Sequence, residues 1–427
     1  MFCFAAFFRS VRSLPLGLLL TSGLIAALNT QAAPEHSVSG FATLGLVSNS
    51  NDTLVFRRDV SQDDGSYDGT IEWQTDSLVG AQWQTRWNPQ WDTKVQLVAK
   101  ERFNAGLEES VEWAFVGYHP SEGLNLRLGR LGADVFTLSE YRQVGYAYPW
   151  ARPPQDYYGL LSIFHLDGVD ISKRFTWGET DLSIKGFYGN HDQKFPVGLR
   201  SSGYSRLDFD ISGISLTAEQ GFWKWRYTFA GVQVNNNATG TLVNALASVE
   251  PYWPDAALLG DLSKTHKRRF SYHSLGFSYD NNQWWLRGEL SHLESDIGLV
   301  PQSERAYLSI GKQFDRITLY ALGGYSKPRR DLIQVQAPEG LPSPLAEQLA
   351  QLAMVARTNL NGVRIDQSSL GAGVRWDFAP KMALKFQIEE FQIDANGTNL
   401  WLRVDSSQPV PKDQHSTLTS LTWDMLF

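Results

Sequence analysis

The sequence predicts an all-β fold, a transmembrane antiparallel β-barrel of sixteen strands, and three observations carry the prediction. Apolar and polar residues alternate with a period of two in run after run, which on a strand puts one kind on each face. The connections between these runs are short and long in turn. Aromatic side chains gather beside the short connections, as the rim of a membrane-embedded barrel requires.

Residues 1–32 read as a secretory signal peptide: Arg9 and Arg12, an apolar stretch from Leu14 to Leu28, then the small-residue ending Thr30-Gln31-Ala32. Cleavage is expected after Ala32, since a cut one residue later would place Pro34 first. The apolar core is short and holds Pro15 and Gly17, which argues against a membrane anchor. Cys3, the only cysteine, lies in no lipoprotein-type Leu-x-x-Cys box. Residues 33–427 are then one barrel domain without cysteine, which backbone pairing and burial must stabilise in place of disulfides. Losing two arginines makes a chain of formal charge −7 more acidic still.

The clearest run is Val79-Ala81-Trp83-Thr85-Trp87, interleaved with Gly80, Gln82, Gln84 and Arg86. After Asn88-Pro89-Gln90 the alternation resumes as Trp91-Thr93-Val95-Leu97-Ala99 over Asp92, Lys94 and Gln96, so the two runs form a hairpin. The unit recurs at Leu124-Leu126-Leu128, at Trp223-Trp225-Tyr227-Phe229 and at Leu384-Phe386-Ile388. Strands are expected at 38–47, 69–86, 91–103, 109–119, 123–131, 161–176, 179–189, 206–220, 222–235, 268–280, 283–294, 303–314, 316–326, 365–378, 381–393 and 415–427. An even number lets a barrel close with both chain ends on one side.

Short connections centre on Asn88-Pro89, Pro120 to Gly123, Trp177-Gly178, Gly221, Asp280 to Asn282, Asp315-Arg316 and Ala379-Pro380. Longer ones span 48–68, 104–108, 132–160, 190–205, 236–267, 295–302, 327–364 and 394–414. Beside the short ones stand Trp87, Trp91, Tyr118, Phe175, Trp177, Trp223, Tyr279, Trp284, Phe314, Trp376 and Phe378. A soluble sandwich or propeller would also alternate, but it would not show Trp and Leu outside on strand after strand. No later stretch reaches 18 consecutive apolar residues, so membrane-spanning helices are not expected. Within the long connections, Leu345, Leu349, Leu352 and Ala356 recur at helical spacing in 344–358, and 241–262 is a second helical candidate.

In the last run Leu421, Trp423, Met425 and Phe427 alternate with Thr422, Asp424 and Leu426. This resembles the C-terminal strand of bacterial outer-membrane proteins, which ends in Phe and is read by the barrel-insertion machinery. Taken with the sixteen strands, the early start of the first strand and the long connection after the fifth, the chain resembles the Gram-negative general porins. That resemblance implies an outer-membrane, water-filled channel for passive diffusion of small hydrophilic solutes. It also implies a homotrimer set in lipid and lipopolysaccharide, and a third extracellular loop that folds inward and narrows the barrel. No cofactor, metal or nucleic acid is implied.

The corresponding loop, 132–160, lacks the Pro-Glu-Phe-type motif of the enterobacterial members and carries instead a run from Tyr141 to Pro154, the mark of a divergent group. Its Asp134, Glu140, Arg142, Arg152 and Asp156 are expected to face water and permeant ions, and Tyr146, Tyr148, Trp150 and Tyr157 to pack on the wall. Pro149, Pro153 and Pro154 stiffen it. The polar strand faces supply the lumen with Arg86, Lys94, Lys100, Arg102, Arg127, Lys185, Lys224, Arg226, Arg268, Arg287, Arg305, Arg375 and Lys385. Against them stand Asp92, Glu112, Asp181, Glu289, Asp377 and Glu389. A wall richer in base than in acid points to anion preference. A sugar- or organic-anion-specific channel is the alternative, with the loop rings stacking on solute. The sequence holds no G-x-S-x-G, H-E-x-x-H or Walker motif, and an enzyme is not expected. A plug-bearing transporter is excluded because the first strand follows the cut at once.

Overall fold

The computed structural model describes residues 33–103, 106–405 and 410–427, so the segment read as a signal peptide lies outside the described residues. Sixteen full strands follow in order: β1 (Glu35–Asn49), β2 (Leu78–Asn88), β3 (Trp91–Lys100), β4 (Val111–Ser121), β5 (Leu124–Gly132), β6 (His165–Trp177), β7 (Thr180–Pro196) and β8 (Tyr204–Gln220). Then come β9 (Trp223–Val234), β10 (Arg269–Asp280), β11 (Trp284–Ser295), β12 (Ser303–Phe314), β13 (Ile317–Pro328), β14 (Ile365–Ala379), β15 (Met382–Thr398) and β16 (Gln414–Leu426). Each pairs antiparallel with its neighbours, and β16 pairs with β1 from Phe41 opposite Leu426 to Asn49 opposite Leu418, which closes the barrel. Closure leaves no sheet edge with unpaired backbone groups.

The period-two pattern maps onto the two faces as the alternation requires. Val79, Trp83, Val95, Leu128, Ile171, Trp225, Leu308, Leu319 and Phe386 point outward and stay uncovered. Among the described residues no helix is long and apolar enough to cross a membrane, so any crossing is made by strands. At the short-turn end the aromatics touch across strands: Trp91 and Tyr118 lie 4.5 Å apart, Trp223 and Tyr279 4.9 Å. Gly178 and Gly221 turn the chain there with φ of 62° and 58°, a region closed to most side chains. In β16, Leu421 and Trp423 face outward, and Phe427 exchanges backbone hydrogen bonds with Gly40 at 2.9 and 2.7 Å.

The sixteen expected strands are present, with three shifts. β2 begins at Leu78, not at 69, and within 69–77 the strand pairing with β1 is confined to Ile71–Glu72. Asp68 and Gly69 take positive φ and reverse the chain, so most of 50–77 folds over the barrel mouth, where Leu54–Val55 pairs with Leu402–Arg403 outside the barrel sheet. β7 and β15 run further than expected, to Pro196 and Thr398. In the extensions the less buried residues, Asn190 and Asp192 in β7 and Asp394 and Asn396 in β15, are polar, so the apolar alternation fades while the strands continue.

The helical spacing at 344–358 becomes α3 (Leu345–Asn361), and 241–262 is divided at Pro254 into α1 (Gly240–Val249) and α2 (Asp255–Ser263). Proline cannot supply the amide a continuous helix needs. Leu242, Leu246, Trp253, Leu259, Leu349, Ala356 and Leu360 form one cluster among the three helices at the long-loop end.

Candidate functional site

The connection after β5 turns into the barrel. Val135, Phe136, Leu138, Tyr148, Trp150, Tyr157 and Tyr158 are buried in one cluster with the inward side chains Phe115, Phe187, Phe209, Tyr272, Trp285, Tyr307 and Tyr320. Rings meet mostly edge to face, with Trp150 5.7 Å from Tyr307 and Tyr157 5.9 Å from Phe136. Their polar ends are placed too. Trp150 Nε1 donates to Ser309 Oγ at 2.8 Å, Tyr157 OH lies 2.6 Å from Ser274 Oγ, and Tyr158 OH donates to Glu289. Of the aromatics expected on the wall, Tyr146 is the half-buried one, with the Arg375 guanidinium 4.6 Å over its ring.

The charged loop residues do not, with one exception, face water. Arg152 is 1% exposed and forks onto Asp76 at 2.7 and 3.0 Å while reaching Glu389 at 2.8 Å and Ser420. Asp134 takes Arg226 at 2.6 Å, Lys185 at 3.6 Å and Ser215 at 2.7 Å. Burial alone would raise the Asp134 carboxyl, but Lys185 and Arg226 hold it well below the usual range. Among the described residues Asp156 has Gln367 and Ser369 as its wall partners and no cation, and burial moves it up. Arg142 donates to the Leu161 and Tyr158 carbonyls at 2.9 and 2.5 Å. Asp134 and Arg152 are buried against counter-charges from the wall and from 50–77, and Asp156 and Arg142 against neutral hydrogen-bonding groups, pairings that the loop sequence alone does not show. Glu140 is the exception, its side chain 58% exposed and tied to Lys185 at 3.2 Å.

The wall residues divide likewise. Lys385 is fully buried, paired with Asp424 at 2.9 Å and donating to the Gly145 and Trp150 carbonyls at 2.7 and 2.8 Å. Arg375 pairs with Asp377 and holds the Tyr146 and Tyr148 carbonyls. Arg102 pairs with Glu112 at 3.0 Å, Arg127 with Asp170 at 2.6 Å, and Arg305 rests on Ser303 and Ser326. Arg287 lies 5.6 Å over the Trp285 ring, and Arg86 is exposed at the short-turn end. Arg268 sits outside the wall, before β10, on Asp261.

A second inward segment, 50–77, escaped the sequence reading. Phe56 packs on Phe391 and Trp401, Arg57 donates to the Asn399 and Leu400 carbonyls, and the Val60 amide donates to Gly159 of the inward loop. Asp59 and Asp76, also buried, read in sequence as ordinary loop acids; nothing in their spacing marks them.

Together these contacts cover the inner faces of β1 and of β12 to β16. Loop residues 139–144 face the wall of β3 and β4. There a cleft of about 10 Å³ is lined by Gln96, Glu112, Trp113, Glu140, Tyr141, Gln143 and Phe164 among others. Below it Lys94 lies 5.6 Å over Trp113, and above it Lys100 lies 3.2 Å over Phe164. Neither lysine is in an ion pair among the described residues. Gln143 is 7% exposed, and both its amide atoms lack a partner.

Gly145 lies tight against the wall: a Cβ there would stand 2.0 Å from Asp424 Oδ1 and 2.4 Å from Thr43 Oγ1. Gly145→Val is therefore expected to push the loop off the Lys385–Asp424 pair and lower stability by about 1–3 kcal/mol. A thermal melt followed by circular dichroism checks it, and an unchanged midpoint would contradict the close approach.

No protein-family model matches the chain, and no curated protein matches it. Among solved structures it is similar to OmpF of Salmonella typhi, in a complex with daunomycin, at 13% identity and a TM-score of 0.50 over 91% of this chain and 97% of that one. An anion-selective porin from Comamonas acidovorans is 11% identical with a TM-score of 0.49, covering 92% of this chain and 100% of that one. OmpT, an outer-membrane protein of Vibrio cholerae, is 11% identical with a TM-score of 0.48 over 94% and 100%. The chain has the closed sixteen-stranded barrel of the porin fold.

Proposed function

We propose that this protein is an outer-membrane channel for passive diffusion of small hydrophilic solutes, with a preference for anions, and not an enzyme. One observation carries the reading: the cleft beside the inward loop is bracketed by Lys94 and Lys100, two lysines without an ion pair among the described residues, each over an aromatic ring. Charge exposed along a narrow path sets ion preference. Deeper into the short-turn half, the four bases Arg127, Lys185, Arg226 and Arg287 outnumber the three acids Asp134, Glu140 and Asp170 among them. The sugar-stacking alternative loses its main support, because Tyr148, Trp150 and Tyr157 are buried against the wall.

The same reading sets the apolar outward band in lipid and lipopolysaccharide, puts the short turns on the periplasmic side, and assigns Leu421, Trp423, Met425 and Phe427 to recognition by the insertion machinery. A homotrimer is its expected assembly. The test is the purified protein in planar bilayers under a salt gradient. Small unitary conductance and a reversal potential on the anion side are expected. Cation selectivity, or no conductance from folded protein, would overturn the proposal.

A further inference from the structure

We infer that the cleft beside Gln143 is a selectivity filter for small monovalent anions with a flat charged group, carboxylates and nitrate, and against tetrahedral multivalent anions such as sulfate. The inference rests on the channel reading above and adds a substrate class to it. Four features of the cleft converge on this class.

The first is size. A space of about 10 Å³ is close to that of a single water molecule. An ion crossing there sheds most of its hydration shell, and the cost of removing a charge from water grows with the square of that charge. Doubly charged anions are penalised far more than singly charged ones. The second is shape: the lining includes the rings of Trp113, Tyr141 and Phe164. Flat walls admit a planar group edgewise more readily than a tetrahedral one.

The third is an unmatched amide. Gln143 is more than nine-tenths buried, lines the cleft, and has neither a donor for Oε1 nor an acceptor for Nε2. Buried polar groups are almost always paired, so this amide is free to serve whatever passes. Nε2 donates to an anion's oxygen in transit. The fourth is the arrangement of charge. Lys94 and Lys100 flank Gln96 on the inward face of β3, about 20 Å apart at 3.3 Å per residue. A lysine therefore stands at either end of the cleft. Glu112 stands between them with Oε1 on Arg102 at 3.0 Å and Oε2 3.8 Å from His165 Nδ1. Its repulsion acts twice as strongly on a dianion as on a monoanion.

The experiment measures reversal potentials with nitrate, acetate or sulfate on one side of a bilayer and chloride on the other. It compares the unaltered protein with Gln143→Leu, which keeps the bulk and removes the amide, and with Trp113→Leu. Channel insertion itself reports folding of each variant. In the unaltered protein, acetate and nitrate are expected to permeate at least as well as chloride, and sulfate about tenfold less or worse. Gln143→Leu should lower acetate relative to chloride by about fivefold while preference for anions over cations persists. Trp113→Leu should narrow the gap between acetate and sulfate. Permeabilities that follow aqueous mobilities, with sulfate passing freely, would overturn the filter and leave the anion channel standing. So would a Gln143→Leu channel with unchanged ratios. Cation selectivity would overturn both.

Discussion

Replacing Arg152 with methionine will loosen the inward loop and enlarge the channel. Among the described residues the guanidinium is the single cation paired with Asp76 and Glu389, both almost without solvent contact. Methionine keeps much of the stem's bulk against Phe56, whose ring lies 4.9 Å from the Arg152 Cζ, but leaves two carboxylates buried beside each other. Removing one partner of a buried ion pair typically costs about 3–5 kcal/mol. The wall strands are held by their own ladder, so the loop is the element that yields. Unitary conductance should rise, with noisier open levels, and the thermal midpoint should fall. The triple variant Arg152→Met, Asp76→Asn, Glu389→Gln removes the stranded charges and should recover part of the stability. If Arg152→Met conducts and melts like the unaltered protein, the clamp is not what holds the loop.

Lys94→Glu will have the largest effect on selectivity. Lys94 has no ion pair to lose among the described residues and is partly exposed, so the change should leave the fold intact. It alters the charge on the short-turn side of the cleft by two units and sets a carboxylate near Glu140 and Asp92. At a few ångströms and an effective dielectric near 20, each unit is worth several kcal/mol to a passing ion, more than enough to reverse a modest preference. The reversal potential should change sign, and the change should shrink as salt rises and screening shortens. Lys385→Glu is no substitute for this test: Lys385 is buried behind the loop, where charge reversal breaks the seat of the loop instead. A Lys94→Glu channel with unaltered selectivity would place the ion path elsewhere.

The barrel was legible because its physics is local. Alternation over β2 and β3, the turn residues between them and the aromatics beside the turn all lie within a few positions of one another. The interior was less so. Asp134 and Arg152 look like solvent-facing charges until Arg226 and Asp76 are brought opposite them, and no pattern in the loop announces partners that distant. For the same reason the inward path of 50–77 was invisible. Gln143 is the most instructive case, because its unpaired amide is defined by what fails to reach it, and that is a property of the assembled interior alone.

The clamp around Arg152 also says something about how the molecule is built. Its partners lie 76, 237 and 268 positions away along the chain, and Lys385 reaches back 240 and 235 positions to the loop it holds. Contacts of such separation form late, after the intervening chain has been ordered. Ser420 and Asp424 belong to β16, the strand that closes the barrel on β1. The loop therefore has no complete seat until the final strand arrives, and sealing the cylinder and narrowing its bore become a single event. A nascent barrel stalled before that strand would be a wide, unlatched trough.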